Sequence, residues 1–229
     1  MPAQTFAATQ ASKFPAAAFG LRAPTSHGPR RMPAGTQMML AKGEELFAEG
    51  DEAEYFYQVV SGAIRSYKLL SDGRRQIDAF HLPGDIFGLE AGNEHRFSAE
   101  AVGEVQVIAY RRNRLAALIE DDATFRDRIM TATLRSLQRA QDHMLLLGRK
   151  TAQEKLATFL LDMADRISKD DEHFDLPMQR SDIADHLGLT IETVSRTLTQ
   201  FARSGLIRLM PASRSIGLCN KMALRSLDA

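Results

Sequence analysis

The sequence predicts an α+β chain in three parts: an N-terminal antiparallel β-barrel, one long helix, and a C-terminal winged helix-turn-helix. Three observations carry this. From Thr36 to about Tyr110, short runs rich in Val, Ile, Phe and Tyr alternate with glycine turns. From about Asn113 to Leu147 the hydrophobic period becomes helical. After that, RSDIADHLGLT and TIETVSRTLTQF read as two helices joined at a glycine, with two short strands behind them. The expected divisions are a tail over 1–35, the barrel over 36–112, the long helix over 113–148 and the winged helix over 149–229.

Composition narrows the classes. The 229 residues suit one large domain or two ordinary ones, and 44% hydrophobic content is enough for real cores. No apolar run approaches the roughly 18 residues of a membrane span, so a soluble, cytoplasmic chain without a membrane partner is expected. Formal net charge is zero, so any attraction to nucleic acid has to be local. The one cysteine, Cys219, excludes an internal disulfide and any four-cysteine zinc or iron–sulfur site. Its position at the end of the last strand reads as a small buried hydrophobe. The first acidic residue is Glu44, and the first 35 residues read as a mobile tail. Their Arg-rich, acid-poor text also suits an organelle transit peptide, but it lacks an amphipathic stretch, and there is no secretory apolar core.

In the barrel, turns are expected at Glu49-Gly50-Asp51, Ser61-Gly62, Asp72-Gly73 and Pro83-Gly84-Asp85. Ser71-Asp72-Gly73 between IRSYKLL and RQIDAF predicts a hairpin. On the long helix, Met130, Thr133, Leu137, Ala140, Met144 and Leu147 alternate at spacings of three and four, an a/d seam. Packing on the chain's own barrel is one use of such a seam. Polar flanks (Arg135, Gln138, Arg139, Gln141, Asp142) favour pairing with a second copy, through Met130, Leu137, Ala140, Met144 and Leu147. Gly148 is expected to close the helix, and Thr151 to Glu154 is a capping box opening the next. That helix buries Leu156, Phe159, Leu160 and Met163. A polar loop, Lys169 to Glu172, and a short strand, FDLPM, follow. The winged part then runs through a helix ended by Gly188, a second helix stopped by Gly205, and strands LIRLM and IGLCN around the turn PASRS.

Glu192, Ser195 and Arg196 stand at i, i+3 and i+4, on one face of the second helix. Ile191, Val194, Leu198 and Phe201 occupy the other face and are expected to dock on Ile183, Ala184 and Leu187. The polar trio is thereby turned outward, near the helix N-terminus that enters a major groove in helix-turn-helix proteins. Arg196 suits guanine O6 and N7, Glu192 cytosine N4, and Ser195 a base edge or thymine methyl. An ordinary Glu–Arg surface pair is the alternative, worth only about 0.3–0.5 kcal/mol. The local balance favours DNA: Arg180, Arg196, Arg203, Arg208 and Arg214 stand against Asp182, Asp185 and Glu192. Phosphate contacts are expected from Arg180, Ser181, Thr190 and Thr193 near helix N-termini, and from Arg214 and Ser215 on the wing tip. One helix reads three to four bases, so a homodimer on a double-stranded palindrome is expected.

This order of barrel, long helix and winged helix, with I-E-T-V-S-R followed by GLI, resembles the superfamily of the cyclic-AMP receptor and the fumarate–nitrate regulator. Within it the text is most similar to the FixK type. The resemblance spans about 36–220 and implies a cyclic-nucleotide-binding-like jelly roll. It implies a homodimer reading a TTGAT…ATCAA-type palindrome with Glu192, Ser195 and Arg196. It also implies RNA polymerase as a partner and genes of low-oxygen respiration, denitrification and nitrogen fixation as targets, mostly by activation.

No cofactor is expected. Cyclic-nucleotide binders of this superfamily carry Gly-Glu and then Arg-Ser. Here the first pair is Gly84-Asp85, and Asn93-Glu94 align with the second. Arg96 and Ser98 nearby leave room for a shifted pocket. A barrel histidine, His81 or His95, would be needed for haem; both read as structural. A nucleotide- or haem-dependent regulator of the same fold is the alternative. A nucleotide-gated module without DNA activity would not need the winged helix. An enzyme is disfavoured: His143, His173 and His186 have no partnered nucleophile. His186 is expected in solvent or beside a phosphate.

Overall fold

The computed structural model describes residues 35–167, 173–210 and 214–228. The expected tail, apart from Gly35, the loop over 169–172 and most of the wing turn lie outside these residues. Eight strands come first: β1 (Thr36–Leu40), β2 (Glu45–Phe47), β3 (Tyr55–Ser61), β4 (Ile64–Leu69), β5 (Arg75–His81), β6 (Ile86–Phe87), β7 (Ser98–Ala101) and β8 (Val105–Arg111). They form two four-stranded antiparallel sheets, ordered β1-β8-β3-β6 and β2-β7-β4-β5. Strand alternation places Tyr57 and Val59 in an inner core with Phe47, Ile64, Phe87, Val105 and Val107. Phe56 and Tyr110 point to the other face and pack with Ile86, Phe125 and Ile129.

The expected turns form. Leu70 N–H donates to Arg74 O at 2.8 Å and Asp72 Oδ1 accepts from Arg74 N at 3.0 Å, closing the β4–β5 hairpin. Gly62 has φ 79°, and a Cβ there would collide with the Glu104 carbonyl oxygen, so only glycine fits.

The helical stretch is not continuous. A 3₁₀ turn (Arg112–Arg114) leads into α1 (Leu115–Asp121), and α2 runs from Ala123 to Arg149. Asp122 breaks them: its extended backbone caps α2, accepting from Thr124 N at 2.8 Å and Phe125 N at 3.2 Å. Gly148 does not end α2. It lies inside the helix, and the extended residue Lys150 makes the exit. No left-handed cap is needed because the capping box follows at once: Thr151 N donates to Glu154 Oε2 at 2.7 Å, and Glu154 N to Thr151 Oγ1 at 3.4 Å.

The C-terminal part comprises α3 (Ala152–Ile167), β9 (His173–Asp175), α4 (Arg180–Leu187), α5 (Ile191–Arg203), β10 (Ile207–Leu209), β11 (Ser215–Leu218) and α6 (Lys221–Asp228). Gly188 takes φ 61° at the α4 C-cap, as the glycine turn requires. The wing is a three-stranded antiparallel sheet, β10-β11-β9, because the strand before α4 returns to pair with β11. The terminal helix α6 was not anticipated. Asn220 Oδ1 accepts from Ala223 N at 2.9 Å, and Leu224 is fully buried.

One core joins the two halves. Ala63, Ile77, Phe80, Leu82 and Val102 of the barrel cluster with Leu156, Phe159, Leu160, Met163, Ile183 and Leu187. At its edge His143 of α2 stacks on His186 of α4, ring centroids 4.2 Å apart, and His186 Nδ1 donates to Ile77 O at 3.1 Å. His186 is thus turned inward, not toward solvent or phosphate, because its helix face packs on β5. Burial, with His143 beside it, pushes His186 down to about 3; burial and Lys155 lower His143. Both are neutral near pH 7. Below the ordinary value of 6.5 the unfolded chain takes up protons that the folded chain refuses. The contribution of His186 to stability is therefore complete above pH 6.5 and is lost as pH falls from there toward 3. His186→Phe should flatten that acid decline in urea midpoints measured between pH 7 and 5; an unchanged slope would remove His186 as its source.

Candidate nucleic-acid interface

Helix α5 owes its orientation to its apolar face. Val194, Leu198 and Phe201 are buried against Ile183, Ala184 and Leu187. Three such side chains contribute roughly 4–9 kcal/mol, so the helix cannot turn over. Ile191 departs from expectation: it is 48% exposed, since the first helical residue lies at the end of the apolar stripe. Glu192 and Arg196 are exposed and Ser195 is half-buried on the outer face. Glu192 and Arg196 make no ion pair with each other among the described residues, so the ordinary surface-pair reading has no support.

The flanking groups are placed as follows. Thr190 caps α5, its Oγ1 accepting from Thr193 N at 3.2 Å and lying 3.1 Å from Thr193 Oγ1. Ser181 is the second residue of α4, but Gln179 is the cap, its N–H held by Asp182 Oδ2 at 3.1 Å. Arg180 reaches across from α4: Nη1 donates to Ser195 Oγ at 3.4 Å, which brings a nominal phosphate ligand onto the trio's own face. The sequence carries no signal for this contact between residues on different helices. Arg214 is exposed, with Nη1 donating to Pro177 O at 2.8 Å, and so braces the entry to α4. Ser215 is the first residue of β11, opposite Asp175, and its carbonyl accepts from Met210 N at 3.3 Å at the turn end of the wing hairpin. Cys219 is exposed, contrary to expectation, because the chain leaves the sheet after Leu218.

On α2, Met130, Leu137 and Met144 are 59%, 56% and 67% exposed, and Ala140 is exposed. Leu147 instead turns inward and packs against its own chain near Gly188. Leu134 and Leu145, at 59% and 64%, extend the stripe beyond the expected seam; Met130, Leu134 and Leu137 fit the heptad with the four-residue step first.

Under α2 the barrel holds a cavity of about 360 Å³, lined in part by Ser66, Asp78, His81, Glu90 and Arg96. Asn93 and Glu94 are not among its lining residues; Arg96 stands there instead. Burial raises Asp78 and lowers His81 to about 4. His81 lies 3.1 Å from Ser66 Oγ and stacks on Phe87, while His95 stacks on Phe47 at 3.6 Å. Asp85 is engaged elsewhere, accepting from Leu82 N and pairing with Arg139 and Arg166.

A jelly roll, a long helix and a winged helix with an exposed polar reading face together define a DNA-binding transcription regulator. Residues 37–122 match the family of cyclic nucleotide-binding domains, and 154–227 that of Crp-like helix-turn-helix domains. The nitrogen fixation regulation protein FixK of Azorhizobium caulinodans is 46% identical over 236 residues, spanning 100% of this chain and 95% of the relative. FixK of Rhizobium meliloti is 44% identical over 81% of this chain and 83% of its own. The solved structure of FixK2 from Bradyrhizobium japonicum superposes with a TM-score of 0.80 at 49% identity, covering 86% of this chain and 98% of that one. The chain belongs to the FixK group of the Crp/Fnr family of transcription regulators. Among the described residues no helix is long and apolar enough to cross a membrane.

Proposed function

We propose that the protein is a homodimeric transcription activator, working in the cytoplasm, that reads a TTGAT…ATCAA-type palindrome without a bound effector. The observation that carries this is the outer face of α5, with Glu192 and Arg196 exposed and Ser195 half-buried between them, backed by a buried apolar face that fixes its direction. The exposed α2 stripe supports pairing with a second copy, which presents two such faces to two half-sites. The nitrogen fixation regulation proteins named above support targets in nitrogen fixation; low-oxygen respiration genes and RNA polymerase as the second partner are what the family resemblance implies. The phosphate set remains Arg180, Ser181, Thr190, Thr193, Arg214 and Ser215.

The effector-free reading rests on the charge of the barrel cavity. Asp78 and Glu90 face a single Arg96 there, beside a neutral His81, a poor cradle for a phosphate. Arg96 is the one feature that favours an anionic effector. Selection of bound sequences from random DNA, with extensively dialysed protein, tests both points. Recovery of a palindrome without additive is expected. A palindrome recovered only after cyclic AMP is added would overturn the effector-free reading, and no enrichment under either condition would overturn sequence-specific DNA reading.

A further inference from the structure

The two aspartates of α4 that oppose the basic residues of the winged helix do not face outward. Asp182 is 2% exposed, and its Oδ1 accepts from two arginines of the barrel: Arg65 Nη1 of β4 at 2.9 Å and Arg75 Nη2 of β5 at 2.7 Å. Its Oδ2 meanwhile caps α4 through Gln179 N. Arg75 also holds Asp185, Nε to Oδ2 at 2.9 Å, and lies over the Tyr67 ring at 5.7 Å. Arg65 is steadied from its own side by Glu100 at 2.6 Å. Gln76 Nε2 adds a bond to His186 O at 3.2 Å. Thus β4 and β5 grip the first helix of the reading head at several points along its length.

Such a grip has a use beyond stability. Buried ion pairs cost desolvation and add little net stability, and in some proteins they are retained because they favour one relative arrangement over others. Apolar contact around Ile77 and Phe80 tolerates sliding; two guanidiniums on one carboxylate do not. We propose that Arg65 and Arg75, on the barrel, are positioning residues for DNA reading, locking each reading head at a fixed attitude through Asp182 and Asp185. The locked attitude matters for a two-headed reader, because the second half-site is engaged at an effective concentration set by how well the second head is aimed. This inference rests on the DNA-reading function proposed above.

The test uses the full chain, with two duplexes: a TTGAT…ATCAA palindrome and a duplex carrying one half-site. Arg75→Glu should lower palindrome affinity at least tenfold while half-site affinity stays within twofold. Adding Asp185→Arg to it should restore the ratio of palindrome to half-site affinity to within threefold of the parent, a rescue that mere misfolding would not show. Trypsin cleavage at Arg149, the last residue of α2, and at Lys150, in the link to α3, needs no DNA and should rise at least fivefold in Arg75→Glu and fall back in the double variant. Equal losses on both duplexes, a gain in palindrome affinity, or unchanged cleavage would each overturn the clasp. A parent protein with no preference for the palindrome would overturn the DNA reading instead, with cleavage still deciding the clasp.

Discussion

Arg196→Ala should abolish specific DNA binding while sparing most of the non-specific affinity. An arginine with both donors on guanine O6 and N7 is worth about 1–3 kcal/mol of discrimination, and a twofold dimer loses it twice. The sum, about 2–6 kcal/mol, corresponds to roughly thirtyfold or more in operator affinity. Arg214→Ala provides the contrast. Its guanidinium sits beside Pro177 at the α4 entry, so its loss should weaken operator and random DNA alike and reduce the salt slope of the twofold dimer by about two, one phosphate contact per protomer. Gel shifts on an operator, a guanine-substituted operator and random duplex decide the matter. If Arg196→Ala loses operator and random DNA to the same degree, Arg196 is a phosphate ligand and base reading belongs to other residues.

Leu137→Glu should give monomers. Leu137 lies mid-stripe, 56% exposed in the single chain, with Met130 and Met144 one heptad to either side. Burial of a leucine stabilises by about 1.5–3 kcal/mol and counts twice across a twofold seam. Replacing it with two facing carboxylates adds repulsion and desolvation to that loss. A rise of a hundredfold or more in the dimer dissociation constant is expected, read by light scattering or sedimentation, with operator affinity falling in parallel. Gln138→Glu, on the same turn but outside the stripe, is the control and should remain dimeric. A persistent Leu137→Glu dimer would place the interface on another surface.

What the sequence made legible was what depends on neighbours within a few residues. Turn glycines, the Asp72-Gly73 hairpin, the Thr151–Glu154 box and the Gly188 turn are all local chemistry, and each forms as read. Apart from Gly148, which the adjacent capping box overrides, the main misreadings have non-local causes. His186 looked like a surface residue because its partners, Ile77 and His143, come from other parts of the chain. Asp182 and Asp185 were counted as negative charge facing DNA, whereas Arg65 and Arg75 neutralise them from over a hundred residues upstream. Leu147 fitted the seam by spacing alone, but the winged helix claims it. Two misses were legible in principle. Asp122 followed by Ala-Thr is a serviceable helix cap, and KMALRSLD after Asn220 has the spacing of a short amphipathic helix.

The core that runs from Phe80 and Leu82 into Phe159 and Leu160 has a consequence for modularity. Two family modules are recognisable here, ending at 122 and beginning at 154, yet neither closes its own apolar surface. A cut between them would bare Ile77, Phe80 and Leu82 on one fragment and Leu156, Phe159 and Ile183 on the other. Domain exchange with another regulator has to carry both sides of that seam, and a single calorimetric transition is the expected result for the intact chain.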